Sequence, residues 1–218
     1  MVALLALLTV HFGTTFSALK WWPDAFAVAT NLLAGGIVSF LFYYLVIYYP
    51  ERRKKAILKK TLAAMYKNIK HDILFQVVFA SIKGGRNDLT TYFDEIEKLM
   101  QPAAFKAAFG DGREATEGFY AFANQMHEET PEFRNIVLSW RMLSKQIEFV
   151  LHNYSIDDQQ LFDTFKGLEL TLMRLQTIEP GYNEAKTLCW FIWENFAGWS
   201  FIDGYIGYDR IERAIESI

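Results

Sequence analysis

The chain of 218 residues is 52% hydrophobic and 17% aromatic, with a mean hydropathy of +0.07. This composition is too apolar for a disordered chain and too polar for a protein embedded entirely in the membrane. Its charge is uneven: residues 1–50 hold only two charged side chains, residues 51–86 are net +8, and residues 87–218 are net −11. The single cysteine, Cys189, excludes an internal disulfide and is consistent with a reducing compartment. Composition therefore favours a membrane-attached helical protein over a soluble enzyme.

Residues 2–19 form a first apolar stretch, which is close to the lower length limit for a membrane span and contains several threonine and serine side chains. The stretch lacks the basic start and the cleavage site of a signal peptide, and another apolar run follows it directly. We predict a first span here. Residues 20–24 would then form a loop on the outer side of the membrane, and the start of the first span and the end of the second would both face the cell interior. A cleaved signal peptide, or a re-entrant or interfacial segment, is the alternative.

The most apolar stretch, residues 25–49, carries no charged side chain. A helix of this length rises about 1.5 Å per residue and exceeds the roughly 30 Å hydrocarbon core of a bilayer. Aromatic side chains crowd both ends, from Trp21 and Trp22 to Tyr48 and Tyr49, as is typical of the headgroup region. We therefore predict a transmembrane span, in preference to the core helix of a soluble protein.

Small and polar residues recur at every fourth position of this second span and so lie along one stripe of a helix. They are Ala27, Asn31, Gly35 and Ser39. Small residues let two helix backbones approach closely in lipid, and an amide side chain needs a partner there. The stripe indicates either a seam or pore between several copies of the chain, or packing of the two spans within one copy.

A basic segment follows the span and indicates that the span ends on the cytoplasmic side of the membrane. Each cation near the surface attracts anionic lipid by about 1 kcal/mol, so lipid headgroups are the predicted partner. The acidic balance of residues 87–218 argues against binding to duplex nucleic acid. A helix is predicted to continue through 51–86, with basic residues on its outer face as far as Lys70, until Gly84 and Gly85 end it. The predicted headgroup-binding residues are Arg52, Arg53, Lys54, Lys55, Lys59 and Lys60.

The acidic remainder of the chain reads as one all-α domain with ordinary helix start and stop signals. Asp88 or Thr90 is predicted to cap one helix, and Thr130 followed by Pro131 to start another. We expect an all-α membrane protein, with one or two N-terminal transmembrane helices followed by a cytosolic helical bundle. The other predicted helices cover 102–109, 113–129, a segment from a capping box at Ser155 and Asp158 to Pro180, 185–198 and 209–218.

The sequence contains no clear catalytic or metal-binding pattern. It lacks the phosphate-binding motifs G-x-x-x-x-G-K-[ST] and G-x-G-x-x-G. No histidine lies five positions after an arginine, the spacing of the R-x-x-x-x-H motif of HEPN ribonucleases. Helix capping explains Asp157, Asp158 and Asp163 better than a cation site does. Cys189 lies on an apolar helix face, which favours a buried structural thiol. We therefore predict no enzyme activity, no catalytic residues, no metal and no cofactor.

Aromatic residues are dense between residues 190 and 208, where glycines interrupt the helical pattern. Tryptophan and tyrosine are enriched in subunit contacts and in ligand pockets. Core packing is the favoured interpretation, and a subunit contact or a ligand pocket is the functional alternative. The residues that would form such a contact or pocket are Trp193, Trp199, Phe201 and Tyr205.

The run FYYLVIYYPERRKK at residues 42–55, together with WSFI at residues 199–202, resembles bacterial membrane proteins with one or two N-terminal spans and a helical cytosolic domain. In layout the chain is similar to small membrane effectors of anti-phage systems, such as the pore-forming accessory protein of some type VI CRISPR loci and the Hailong-type effector. The resemblance implies a homo-oligomer that perturbs the inner membrane when triggered. It transfers no residue of known function, and the missing R-x-x-x-x-H motif departs from the pattern of the CRISPR accessory protein.

We therefore expect a homo-oligomeric effector, channel or pore of the bacterial inner membrane. Its C-terminal domain is expected in the cytoplasm, where it gates the membrane part in response to a small nucleotide or a protein. Membrane lipid and further copies of the chain are the expected partners. A non-conducting membrane-anchored scaffold or receptor for a cytosolic partner is the alternative, and a membrane-tethered enzyme is a third possibility.

Overall fold

The protein is mostly helical and forms two compact units, Met1–Ile57 and Leu58–Ile218. Of the predicted first span, residues 2–19, all but Leu5 and Ala6 lie outside the residues that the structure describes. The structure is a computed structural model that describes residues 5–6, 22–110, 112–154, 156 and 158–218.

One long helix begins in the N-terminal unit and continues into the C-terminal unit. Helix α1 covers Trp22–Tyr43, a π-helical turn covers Tyr44–Tyr48, and helix α2 covers Tyr49–Lys83. Together they form a continuous helix over Asp24–Lys83, whose most apolar 18-residue window is 0% buried among the described residues. The core helix of a soluble protein is mostly buried. By its length and hydropathy, the helix could cross a membrane, as predicted for residues 25–49.

The π-helical turn has a physical cause in Pro50, which follows it. A proline has no amide hydrogen, and its ring collides with the carbonyl group four residues earlier, here that of Val46. Widening the turn relieves this collision, and the amide of Tyr49 accordingly donates to the carbonyl of Tyr44, five residues before it. The irregularity in the long helix therefore lies in the turn immediately before Pro50.

In the C-terminal unit, the apolar face of α2 lies in the hydrophobic core. Leu62, Ile73 and Val77 are fully buried at the helical spacing that the sequence predicts. The helix ends at Lys83, and Gly85 follows with φ +108°, a left-handed conformation that glycine adopts without strain. The predicted end of this helix is therefore confirmed.

Lys70 departs from the prediction. The sequence places it on the exposed basic face of α2, but its side chain is only 2% exposed. Its ammonium group lies 2.8 Å from the carboxylate of Asp209, which comes from the far end of the chain. A charge of this kind enters a core only when it is paired, so the distant carboxylate explains the burial.

The other helices of the C-terminal unit contribute buried side chains to the same core as α2. The two longest of them pack along each other, and a β-hairpin lies before the last helix. The helices are α3 Phe93–Leu99, α4 Pro102–Phe109, α5 Tyr120–Gln125, α6 Pro131–Asn153, α7 Gln159–Leu175, α8 Glu184–Phe196 and α9 Arg210–Glu216.

Two helix starts show the expected capping chemistry. Thr130 Oγ1 accepts a hydrogen bond from the amide of Phe133 at 3.1 Å, and Pro131 is the first residue of α6, as predicted. Asp158 Oδ1 accepts from the amide of Leu161 at 3.0 Å and starts α7. Ser155, the other half of the predicted capping box, lies outside the described residues.

The helix predicted for residues 113–129 is wrong over most of its length, because only Tyr120–Gln125 is helical. The preceding segment is held as a turn. Glu117 accepts a hydrogen bond from the amide of Arg113 at 3.1 Å, and a methyl group added at Gly112 would lie 2.6 Å from a backbone nitrogen. Side-chain capping of this kind competes with helix formation.

The caps predicted at Asp88 and Thr90 are also wrong. Helix α3 begins after Tyr92, whose side chain makes no capping hydrogen bond within the described part of the chain. Asp88 instead accepts two hydrogen bonds from the guanidinium of Arg86, at 2.7 and 2.6 Å. Because the carboxylate of Asp88 is paired with Arg86, it does not cap the helix.

A short β-hairpin lies between the helices predicted for residues 185–198 and 209–218, in a domain that the sequence predicts to be all-α. Strand β1, Trp199–Ser200, pairs antiparallel with strand β2, Gly204–Tyr205. Gly198 precedes it with φ +61°, and a methyl group at Gly198 would lie 2.8 Å from the amide nitrogen of Tyr208. The base of the hairpin is therefore a close approach of two backbones, as the glycine pattern indicated.

Candidate functional site

The stripe of small residues lies on α1 and is uncovered in the structure. Ala27, Asn31, Gly35 and Ser39 are all exposed. A methyl group added at Gly35 or at Gly36 would meet no described atom within 4 Å, apart from the backbone of its own helix. Among the described residues nothing covers this part of the helix, which is therefore available to lipid or to another helix.

The basic segment keeps most of its predicted headgroup-binding residues accessible. Two of them, Lys55 and Lys59, are half-buried. Lys59 Nζ donates a hydrogen bond to the backbone carbonyl of Glu216, at the end of α9. The side chains that stay exposed, and so can meet lipid headgroups, are Arg52, Arg53, Lys54 and Lys60.

The four predicted aromatic contact residues divide between two places. Trp199, Phe201 and Tyr205 lie on or between the strands of the hairpin. Trp193 lies in α8, where its ring centroid is 5.3 Å from that of Phe119. The structure thus brings three of the four together and assigns the fourth to an aromatic cluster of the core.

The hairpin is fixed to the helices beside it by aromatic and cationic contacts. The ring of Trp199 meets that of Trp190 in α8 edge to face, at a centroid distance of 4.8 Å. Lys106 Nζ lies 3.3 Å from the ring centroid of Tyr205, within cation–π range. Arg210 donates to the backbone carbonyl of Trp199 at 3.3 Å.

A cleft of about 520 Å³ opens beside the hairpin, between α4, α5 and α8. Its walls are mostly apolar and include Phe109, Phe119, Trp190 and Trp193. Volume and lining are typical of sites that bind small molecules or apolar side chains. Among the predicted aromatic residues, Trp193 alone lines this cleft.

The polar side chains of the cleft include His127 and Lys186. Lys186 Nζ lies 4.0 Å from the ring centroid of Tyr182 and donates to Asn183 Oδ1 at 3.1 Å. His127 also meets Tyr182, with a ring-centroid distance of 5.0 Å. An apolar cleft with a cation at its edge is suited to an apolar group that carries a negative charge beside it.

Cys189 lies in the wall of the cleft but is 7% exposed. Burial raises the pKa of its thiol to about 12. The thiol is therefore protonated at neutral pH, whereas the thiolate is the nucleophile. Its chemistry agrees with the structural role that the sequence predicts.

Arg86 supports the wall of the cleft by packing against Phe109, which lines it. Its guanidinium donates to the carbonyls of Gly118 and Ala108, both at 3.0 Å, and stands over the ring of Phe109. Its hydrogen bonds also lower the pKa of Asp88 from its ordinary value. One buried side chain thus ties α4 to the segment before α5.

A buried polar cluster, missed by the sequence reasoning, joins α2 to the start of α9. Asp209 Oδ2 accepts from the hydroxyl of Tyr66 at 2.6 Å and pairs with Lys70 at 2.8 Å. Its other oxygen caps α9 by accepting from the amide of Ile211 at 2.9 Å. Burial, and next the charge of Asp209, raise the pKa of Tyr66 well above its ordinary value.

Helical spacing offered a partial signal for this cluster. Tyr66 and Lys70 are four residues apart, on the same face as the buried Leu62 and Ile73. All three cluster members are buried, so the cluster fastens α9 to α2.

No protein family, curated protein or solved structure matches this chain. The features that bear on its function are therefore the stripe, the basic segment, the hairpin and the cleft.

Proposed function

We propose that the protein is a homo-oligomeric effector or channel of the bacterial inner membrane, gated by a cytoplasmic helical domain. The observation that carries this proposal is the continuity of the helix Asp24–Lys83. Its first half is apolar and uncovered, while its second half supplies core residues of the C-terminal unit. We infer that a change in that unit is passed to the membrane segment along this helix.

Self-association is supported by the open stripe on α1. The amide of Asn31 is exposed within an uncharged stretch, where lipid offers it no hydrogen-bond partner. Helices of further copies satisfy such a group, and the glycines beside it allow close approach. Several copies around an axis would place Asn31 and Ser39 along a polar path.

Orientation and lipid contact are supported by the basic segment. Its exposed cations follow the apolar stretch directly, which under the positive-inside rule supports a cytoplasmic C-terminal unit. The same cations attract anionic headgroups. The role in anti-phage defence, with a small nucleotide or a protein as trigger, follows from the resemblance in layout.

Ion flux through vesicles tests this function. We expect the full-length protein, reconstituted into vesicles of phosphatidylethanolamine and phosphatidylglycerol, to dissipate a potassium gradient. Because several copies form one channel, the flux should rise more steeply than linearly with protein density. Flux equal to that of protein-free vesicles at every density would contradict the proposal.

A scaffold that recruits a cytosolic partner is the second candidate. It is favoured by an exposed groove between α2 and α6, of about 340 Å³. The lining combines the apolar Phe75, Leu138 and Met142 with polar side chains such as Asp72 and Gln76. Exchange of residues 1–50 for an unrelated membrane anchor separates the two functions, because a scaffold keeps its cellular effect after this exchange and a channel loses it.

A further inference from the structure

The tip of the hairpin presents two apolar side chains to solvent. Ile202 is 89% exposed and Phe201 is 79% exposed, the highest values among the large hydrophobic residues described in the C-terminal unit. Apolar groups are driven out of water, and an exposed apolar patch marks an interaction site. The tip thus lacks a covering surface in a single copy of the chain.

Hydrogen bonds within the turn hold these two side chains in their exposed positions. Ser200 Oγ accepts hydrogen bonds from the amides of Ile202 and Asp203, both at 3.3 Å, and donates to Asp203 Oδ2 at 3.2 Å. The contact between Trp199 and Trp190 anchors the base of the hairpin. Because both the turn and the base of the hairpin are fixed, Phe201 and Ile202 project outward in a defined conformation. This reduces the entropy lost on binding.

The cleft of the same chain has a lining complementary to this tip. Its volume of about 520 Å³ accommodates a phenyl ring and a branched aliphatic side chain, and Phe119, Trp190 and Trp193 offer aromatic faces to Phe201. Its charge is complementary as well. Asp203 follows Ile202 at the tip, and Lys186 stands at the edge of the cleft.

We propose that the hairpin tip of one copy docks into the cleft of a second copy. The tip does not fill its own cleft, since Phe201 and Ile202 remain exposed there. A second copy supplies both the missing cover and the missing occupant. A contact between two different surfaces, repeated from copy to copy, closes into a ring when the rotation allows it. The inference rests on the self-assembly in the proposed function and assigns a surface to it.

Disulfide cross-linking between two differently tagged full-length chains tests this contact. Both chains carry Cys189→Ala, so that the introduced cysteines are the only ones. The first chain carries Ile202→Cys at the tip, and the second carries Tyr120→Cys, at an exposed position that lines the cleft. The matched control replaces Tyr120→Cys by Tyr92→Cys, which is 75% exposed and lies outside the cleft lining.

After co-expression and mild oxidation in membranes, we expect the pair of Ile202→Cys and Tyr120→Cys to cross-link about tenfold more than the control pair, because a disulfide requires Cα atoms within about 7 Å. Adding Asp203→Lys to the tip chain should lower the yield about threefold, as for a partly exposed ion pair, and Lys186→Asp on the cleft chain should restore it. A general loss of structure would not be rescued by the second substitution.

Equal yields from the cleft and control pairs, or cross-links between two tips only, would overturn the proposed contact. If the chains still assemble and conduct ions in that case, the proposed function stands without this surface. If the tip–cleft cross-link forms and vesicles show no flux, the contact stands and the channel function fails.

Discussion

Replacement of Lys70 by methionine is expected to lower the free energy of unfolding by about 3–5 kcal/mol, the usual cost of removing one partner from a buried ion pair. The substitution keeps the length of the side chain but leaves the carboxylate of Asp209 in the core without its cation. Tyr66 and the first amides of α9 still donate to that carboxylate, but they carry no compensating charge.

Urea unfolding of the full-length protein in detergent, followed by tryptophan fluorescence, measures this effect. Lys67→Met is the matched control, since Lys67 lies on the same helix and its ammonium forms an exposed pair with Glu97 at 2.8 Å. We expect a change below about 1 kcal/mol for this exposed pair. Equal effects of the two substitutions would show that the cluster with Asp209 does not fasten α9 to α2.

Replacement of Gly35 by leucine is expected to reduce ion flux through vesicles about tenfold, the factor that corresponds to 1.4 kcal/mol of lost helix packing. Within one copy the new side chain meets no described atom, and we expect the loss of flux to come from its contact with a helix of another copy. Asn31→Leu should also lower the flux, because it removes the exposed amide of the stripe.

Gly36→Leu provides the control for both variants. It makes the same chemical change at nearly the same depth and also meets no described atom within one copy, but it points about 100° away around the helix. Flux should stay close to that of the unchanged protein. Equal losses at Gly35 and Gly36 would remove the stripe from the account and indicate a general effect of bulk within the span.

The elements that the sequence predicts correctly are those with local signals. An uncharged apolar run predicts the long helix, Thr130 and Pro131 start α6, and Gly85 follows the end of α2. Each of these signals acts within a few residues, so one sequence is enough to recognise it.

The elements that it misses depend on contacts between distant residues. Asp209 lies 143 positions from Tyr66, and the sequence alone gives no reason to bury Lys70 beside it. Likewise, Glu117 uses its carboxylate to hold a turn where helical spacing predicts a helix. Tertiary pairing overrides local preference at both places.

The cleft could not be predicted from local sequence signals, because it is formed by three helices from different parts of the chain, α4, α5 and α8. The aromatic density near the C-terminus predicts a contact region, and this stays a prediction. It could not separate Trp193, which packs inside, from Phe201, which projects outward.

The most direct test of the account is the location of the C-terminus in bacterial cells. Two reporters are fused after Ile218 in separate strains: green fluorescent protein, which fluoresces in the cytoplasm, and alkaline phosphatase, which is active only in the periplasm. The account predicts bright fluorescence from membrane fractions and inactive phosphatase. Active phosphatase with dark fluorescent protein, or a fully soluble fusion, would contradict a helix that crosses the membrane and ends in the cytoplasm.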